Sequence, residues 1–295
     1  MHKTRYNALR IKLHLSPMGP LLIKAGGISA NPTLPDMQFV RTFHPEKGET
    51  VYIPGSSLKG VVRGFVEKAL RTIDNKQSWQ WACPTFPDDS ESCAKRLEKE
   101  ESSSHIYGRS CGACRTFGHT RLKGRAAFTD LLPVNDIKTE IRYGVAISRL
   151  SHAVGAGPFE MEIAVAGTFE GHLVLENFEL WQLGLLAMAL EAMNQGLLKV
   201  GFGKNRGFGT VKVEIAEVIL EELAYGAQDT VWRGLGAFTS DSEIQRYRLF
   251  EPHRIEGMPA SERSEVVGLY LRRVYGPEAW HQAAHHLMER TLLSS

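Results

Sequence analysis

The 295-residue chain has no stretch approaching the ~18 uninterrupted apolar residues of a bilayer span. The start, Met1-His2-Lys3-Thr4-Arg5-Tyr6, has no apolar run of the kind that marks a secretory signal. Cysteine is absent outside residues 83–114, which excludes a disulfide framework spread along the chain. There is almost no excess of one charge, with 35 Lys and Arg against 33 Asp and Glu. The chain is therefore no polycation, and any hold on nucleic acid must come from local clustering. No dinucleotide-type glycine fingerprint opens the first helix. The expectation is a soluble, cytoplasmic protein with no membrane partner.

What is present is an ordinary globular composition, 43% apolar and 23% charged, enough for one large domain or two small ones. Residues 6–15 alternate: Leu9, Ile11, Leu13 and Leu15 fall on one side, Arg10, Lys12 and His14 on the other. This is a strand with one wet, basic face. Residues 16–55 are rich in proline and glycine and read as a long loop with short extended pieces. A helix follows, with Leu58, Val61, Val62, Phe65, Val66, Ala69, Leu70 and Ile73 on one face and Ser56 or Ser57 as its N-cap. Residues 76–124 form an irregular insertion, whose segment Asp88–Ser104 is polar enough to be an exposed excursion. Residues 126–132, 143–150, 160–166 and 168–175 read as strands. Asn177 is expected to cap a second helix that ends at Gly196. A glycine-rich turn, 201–209, precedes a strand over 210–220.

Strands and helices mix without a regular βαβ repeat, which predicts an α+β sandwich, ferredoxin-like in plan. Residues 226–295, with eight arginines, no lysine and nine acidic residues, read as a mostly helical C-terminal extension.

Three constellations carry chemistry. Cys83, Cys93, Cys111 and Cys114 are spaced so that Cys111-Gly112-Ala113-Cys114 makes a good half-site for structural zinc; His105 could replace Cys83 or Cys93. The alternative is four reduced, unliganded thiols. Second, Pro54-Gly55-Ser56-Ser57-Leu58-Lys59-Gly60-x-x-Arg63 joins a helix N-terminus, two hydroxyls and two cations in a ready anion site. The plain alternative is a capped amphipathic helix with solvated charges. Third, Lys204 and Arg206 stand among Gly201, Gly203, Gly207 and Gly209, where backbone N–H groups can approach phosphates; a hairpin connection is the plain alternative.

These segments together resemble the RAMP proteins of type III CRISPR effector complexes, and most of all their repeated backbone subunit. The resemblance rests on Ile53 through Arg63, on Cys111-x-x-Cys114-Arg115-x-Phe117-Gly118, and on Gly201-x-Gly203-Lys204-x-Arg206-Gly207-x-Gly209. It spans about residues 6–220. Ile147-Ser148-Arg149-Leu150 through Glu162 and Gly167-Thr168-Phe169 are similar to the family's thumb hairpin and the strand after it.

The resemblance implies an RNA-recognition-like (RRM/ferredoxin-like) core over 1–225. That core carries the zinc-binding insertion at 76–124 and a thumb at about 143–168, and the helical extension 226–295 follows. It implies binding to CRISPR RNA through Ser56, Ser57, Lys59, Arg63, Arg149, Gly203, Lys204, Arg206 and Gly207. Partners would be target RNA and other effector subunits, adjacent RAMP subunits among them. It implies cleavage of target RNA beside a displaced nucleotide, within the assembled complex, by an aspartate in the loop before the Pro-Gly-Ser-Ser motif.

Here that aspartate is Asp36, in Pro35-Asp36-Met37-Gln38-Phe39-Val40-Arg41. RNA supplies its own nucleophile, the 2′-hydroxyl, so a carboxylate could hold Mg²⁺ or another divalent ion, or assist proton transfer. Lys24, Arg41 and His44 are weaker candidates, and the plain role for Asp36 is a turn residue after proline. Two further readings are a non-cleaving structural paralogue and a guide-precursor processing endonuclease using His14 or His44. For the main reading, Lys59, Arg63, Lys204 and Arg206 have to converge on one trough.

Overall fold

The computed structural model describes residues 3–26, 34–84, 86 and 90–293. Part of the 16–55 loop, residues 27–33, and Asp88 and Asp89 of the polar excursion lie outside the described residues.

Strand β1 (Asn7–Pro17) is the centre of the molecule. Its alternation is realised: Leu9, Ile11, Leu13 and Leu15 are all buried under the helices. The chain continues through the hairpin β2 (Arg41–His44) and β3 (Gly48–Val51) into α1 (Gly55–Ile73). The insertion holds α2 (Cys93–Arg96), α3 (Ser103–Arg109), α4 (Gly112–Phe117) and the short pair β4 (Gly118–His119) and β5 (Leu122–Lys123). Then come β6 (Ala126–Phe128), β7 (Leu132–Pro133), the long hairpin β8 (Lys138–Ile147) and β9 (Val154–Ala166), β10 (Phe169–Glu176), α5 (Leu180–Asn194) and β11 (Val211–Leu223). The C-terminal part adds β12 (Trp232–Arg233), α6 (Asp241–Tyr247), β13 (Arg254–Ile255), β14 (Arg263–Val267), β15 (Tyr270–Tyr275) and α7 (Pro277–Leu293).

The main sheet runs β14-β15-β11-β1-β10-β6, with β7 also on β10, and neighbours are antiparallel. Four consecutive strands of this order, β11-β1-β10-β6, follow the βαββαβ plan of a ferredoxin-like core: β1, α1, β6, β10, α5, β11. Helices α1 and α5 cover one face of the sheet. Leu58, Val62, Val66 and Leu70, one turn apart on α1, are buried there. Helix α5 is apolar nearly all round because it lies between α1 and α7 as well as on the sheet. Trp79 of the insertion stacks on Trp181 of α5, with ring centroids 4.5 Å apart, so the insertion is part of the same core.

Several expectations need correction. Helix α1 starts at Gly55, ahead of Ser56 and Ser57, and no side chain at the N-cap bonds its first turn. Asp130 caps it from a distance instead, its Oδ1 accepting the Gly55 N–H at 2.8 Å. A Cβ on residue 55 would stand 2.1 Å from the Phe128 carbonyl oxygen, so this approach requires glycine. Helix α5 is capped by Glu179 in a capping box with Gln182, while Asn177 turns back to bond Tyr6 and Thr4. The polar excursion is anchored by Cys93 and Leu97, both buried. The thumb hairpin begins at Lys138, earlier than expected.

The C-terminal extension is helical only in part. Its β15 pairs with β11 and β14 with β15, extending the sheet. Val266, Val267, Tyr270, Leu271 and Val274, spaced as on one helix face in the sequence, pair across strands instead, with Val266 opposite Leu271 and Val267 opposite Tyr270. No helix among the described residues is long and apolar enough to cross a membrane.

Candidate functional site

The four cysteines come together. Cys83 follows the tryptophan turn under α1, Cys93 opens α2, Cys111 is the N-cap of α4 and Cys114 lies in its first turn. All four are buried, and their sulfurs lie within 4.8 Å of one another. The Cys83–Cys114 separation is 3.7 Å, against roughly 3.8 Å for the edge of a tetrahedron with 2.3 Å zinc–sulfur bonds. Backbone N–H groups point at sulfur, Cys111 N–H to Cys93 at 3.3 Å and Cys114 N–H to Cys111 at 3.4 Å.

Gly112 belongs in the C-x-x-C turn because a Cβ there would meet the Trp79 carbonyl at 2.1 Å. Hydrogen bonding to Cys111 lowers the pKa of the Cys83 and Cys93 thiols and raises that of Cys114. Four buried thiols so close can bind a metal such as zinc, and the closed set leaves no position for a catalytic water. His105 lies outside it: its ring is exposed and faces Glu100 at 3.6 Å.

Around the helix N-terminus the structure separates residues that the sequence grouped. Ser56 is exposed, and Ser57 and Lys59 are partly so. Partial burial and the neighbouring Arg63 lower the pKa of Lys59, and Lys59 has no ion-pair partner among the described residues. Arg63 turns inward. Its guanidinium bonds Glu67 at 2.7 Å and the Gly118 carbonyl at 3.0 Å, and reaches the Cys114 sulfur at 3.9 Å.

The glycine-rich segment makes a single 3₁₀ turn, Lys204–Arg206, between Gly203 and Gly207, both left-handed. Lys204 and Arg206 are exposed, and Arg206 lies over the Phe202 ring at 5.9 Å. The turn is bolted to the strand-like segment after β1: Phe202 N–H donates to Leu22 O and Gly209 N–H to Pro20 O. Arg142 of β8 lies over Phe208 at 5.7 Å, a cation that sequence reasoning missed. The alternation of β8 signals an outward side chain there, but nothing in the sequence pairs it with this loop.

Asp36 is exposed, and its Oδ2 accepts the Glu160 N–H of β9 at 2.9 Å. Met37 bonds the same strand in both directions, to Glu160 and Glu162. Gln38 and Val40 pair with Ala25 and Ile23, and Tyr52 N–H donates to Val40 O. Glu162 is buried and fixes this crossing, accepting the Phe39 N–H at 3.1 Å and bonding Arg41. A continuous chain of hydrogen bonds thus joins the glycine-rich loop, segment 20–25, the Asp36 loop, the base of the β8–β9 hairpin and the approach to α1. Leu58 of α1 also meets Leu15 of β1, Met193 of α5 and Val213 of β11 around one small internal void, so the α1 N-terminus and the glycine-rich loop share one end of the sheet.

Arg149 lies in the turn at the hairpin tip, roughly 25 Å of strand from the base. The tip and flanks expose Ile141, Tyr143, Val145, Ile147, Leu150 and Val154.

The wet face of β1 stands apart, on the side of the sheet away from α1. Its polar groups are largely answered: Lys12 faces Glu217 at 3.9 Å and the His14 ring meets Glu170 at 2.8 Å. Its outward residues, Arg10, Lys12, His14 and Ser16, include no phenylalanine, tyrosine or tryptophan, and the His14 ring is engaged by Glu170. Arg10 and Lys12 therefore do not join Lys59 on one surface. His44 sits in β2, its Nδ1 accepting the Glu46 N–H at 3.2 Å, remote in the fold from His14.

A protein-family model described as the RAMP superfamily matches residues 14–212. That span runs from β1 through the cysteine insertion, the long hairpin and the glycine-rich loop to the start of β11. Among curated proteins nothing matches the chain.

Proposed function

This chain belongs to the RAMP superfamily, which makes it a CRISPR-associated RNA-binding module, and on that premise we propose that it is the backbone subunit of a type III effector complex. In this reading CRISPR RNA lies along the surface shared by the glycine-rich loop, segment 20–25 and the N-terminus of α1. Lys59, Lys204, Arg206 and Arg142 meet its phosphates, with backbone N–H groups of Gly203 and Gly207 beside them. Ser56 and Ser57 offer hydroxyls at the helix start, and the apolar flanks of the β8–β9 thumb, with Arg149 at its tip, reach toward target RNA and an adjacent subunit. The observation that carries the reading is the hydrogen-bonded continuity of these elements at one end of the sheet. Arg63 acts through the cysteine cluster rather than on phosphate. Because guide pairing carries sequence information, recognition by the protein is of backbone and shape.

Cleavage is assigned to Asp36. Its loop is held against the thumb base, so a target phosphate displaced by the thumb would meet one carboxylate oxygen while the other keeps the Glu160 N–H. That oxygen would accept the proton of the 2′-hydroxyl as its oxygen bonds to phosphorus. The bond from phosphorus to the 5′-oxygen breaks, leaving a 2′,3′-cyclic phosphate and a 5′-hydroxyl that takes its proton from water, with loop cations beside the developing charge. A resident divalent ion finds little support: among the described residues no acidic cluster accompanies Asp36, and the one metal-type group is the cysteine quartet. No step is assigned to Mg²⁺. The same Glu160 bond favours a second reading, a non-cleaving paralogue in which Asp36 only pins the loop.

An Asp36→Asn protein, assembled with guide and given labelled target, separates the two. It is expected to bind target as before and to lose cutting by at least about a hundredfold. Undiminished cutting at this subunit's segment would reject Asp36 as the catalytic group. The four cysteines are proposed to hold one structural zinc, and elemental analysis of the purified protein should give close to one equivalent. Substoichiometric metal would leave the quartet as reduced thiols.

A further inference from the structure

At the other end of α1 lies a cavity of about 850 Å³ that the reading above does not use. Helix α1 has 19 residues, so the cavity stands about 28 Å from the helix N-terminus. The C-terminal turn of α1, the cysteine insertion and the C-terminal extension form its walls. Six cationic residues line it against two acids, Asp74 and Glu91.

Two of the six are structural. Arg71 bonds Glu67 and the Cys83 carbonyl. Arg115 is buried among the carbonyls of Gly108, Ser110 and Arg248. The other four, Lys76, Arg96, Arg109 and Arg248, are exposed. Neither Lys76 nor Arg248 has an ion-pair partner among the described residues, and Arg109 reaches only Glu100, at 3.9 Å.

The wall also carries half-buried aromatic rings. Arg96 lies over Trp81 at 5.3 Å and Arg115 over Phe250 at 4.9 Å. Rigid aromatic surface beside unpaired cations is the chemistry of a base stacked next to a phosphate, and the volume suits a ligand of that size.

This wall is held in place from within. Glu179 accepts the Phe250 N–H at 2.8 Å and the Tyr107 hydroxyl at 2.5 Å, and stands 3.7 Å from Arg115. Arg115 in turn donates to the Arg248 carbonyl at 2.7 Å. Residues 248–250 are thus fixed to a buried ion pair. They come from beyond the span matched by the family model, which ends at residue 212.

We propose that this cavity binds a 5′-phosphorylated nucleotide unit, with its base against Trp81 and Phe250 and its phosphate among Lys76, Arg109 and Arg248. The site does not depend on the guide-binding surface. Two sources share this chemistry, a free nucleotide and the end of an RNA chain.

The test uses the full-length protein with three probes: AMP, a 5′-phosphorylated RNA pentanucleotide, and the same pentanucleotide without the phosphate. Saturable binding of AMP identifies a free nucleotide as sufficient, and binding of the phosphorylated pentanucleotide alone identifies an RNA end. Either supports the site if the triple variant Lys76→Glu, Arg109→Glu, Arg248→Glu weakens it at least tenfold, the loss of one or more charge-assisted hydrogen bonds, while Lys204→Glu with Arg206→Glu does not. Should the triple variant fold poorly, the single changes Lys76→Ala and Arg248→Ala, both at exposed positions, are expected to weaken binding severalfold each. The proposal falls if none of the probes binds, if the cavity variants bind them as the unaltered chain does, or if the 5′-phosphate makes no difference. It falls equally if a polyglutamate peptide displaces the probes more effectively than unlabelled pentanucleotide, which would make the cavity a protein-docking site. The loop variant separates this outcome from the guide-binding reading, since only that reading fails if Lys204 and Arg206 prove irrelevant to long RNA.

Discussion

Arg206 and Arg115 show two uses of a guanidinium in one chain. Arg206 stands exposed on a 3₁₀ turn between two left-handed glycines, over Phe202 and without an ion pair among the described residues. Arg115 is 2% exposed, donates to three carbonyls and lies between the rings of Tyr107 and Phe250. In the first, the donors are free for an incoming anion. In the second, each of the three nitrogens is committed, and the arginine ties the insertion to the C-terminal extension. Arg63 and the buried triad Arg233–Glu222–Arg273 belong with Arg115; Lys59 and Lys204 belong with Arg206. The difference is one of partners, not of charge or position along the chain.

The strongest way to break this division is to remove the acid from the buried triad. Glu222 is fully buried between Arg233 and Arg273. Glu222→Ala leaves two buried cations facing each other and is expected to cost about 3–5 kcal/mol in urea unfolding. Lys204→Ala should stay within about 0.5 kcal/mol. Equal, small effects would mean that burial does not distinguish the two classes.

RNA affinity measured against salt sharpens the same division from the other side. Each single-strand phosphate contact contributes about 0.7 to the slope of log K against log salt. Lys204→Ala with Arg206→Ala should therefore flatten the slope by about 1.4 and leave the melting temperature alone. Arg63→Ala should do the reverse, lowering stability through Glu67 and the Cys114 side of the insertion with an unchanged slope. If Arg63→Ala flattens the slope as much as the loop pair, its inward assignment is wrong.

Much of this was legible in the residues. The alternation of β1 and the apolar face of α1 follow from local periodicity, which survives folding when one face is buried, and the glycine-rich turn follows from its glycines. The thumb strands run over Lys138–Ile147 and Val154–Ala166, not 143–150 and 160–166, because β8 has no buried face to fix its bounds. The cysteine quartet was legible as a set, though only the fold brings Cys83 and Cys93 to the C-x-x-C half-site. What escaped depends on partners far along the chain. Asp130 caps α1 from 75 positions away, so Ser56 and Ser57 are left outside the capping role that their position suggests. Strands β14 and β15 exist because β11 offers an edge, which no spacing within 226–295 reveals. The wet face of β1 reads as basic until Glu217 and Glu170 arrive on the neighbouring strands. Arg142 escaped because β9, β10 and α5 separate it from Phe208 along the chain.

That open sheet face holds a third, intermediate kind of cation, and it makes the smallest prediction. His172 of β10 sits opposite Lys12 in the β1–β10 register. Partial burial, then Arg10 and Lys12, hold its pKa below the ordinary histidine value of 6.5. The folded state therefore disfavours the protonated ring, whereas the unfolded chain takes up the proton as pH falls through that value. Stability present above about pH 6.5 is lost progressively as pH drops below it, levelling off once the folded ring also protonates. The ring is partly exposed and screened, so the loss between pH 7 and 5 should be under about 0.5 kcal/mol, and added salt should shrink the part due to Arg10 and Lys12. His172→Gln should remove it. A pH profile unchanged by that substitution would show that Arg10 and Lys12 are already neutralised by their acidic neighbours, and would place the open face wholly with the committed cations of the interior.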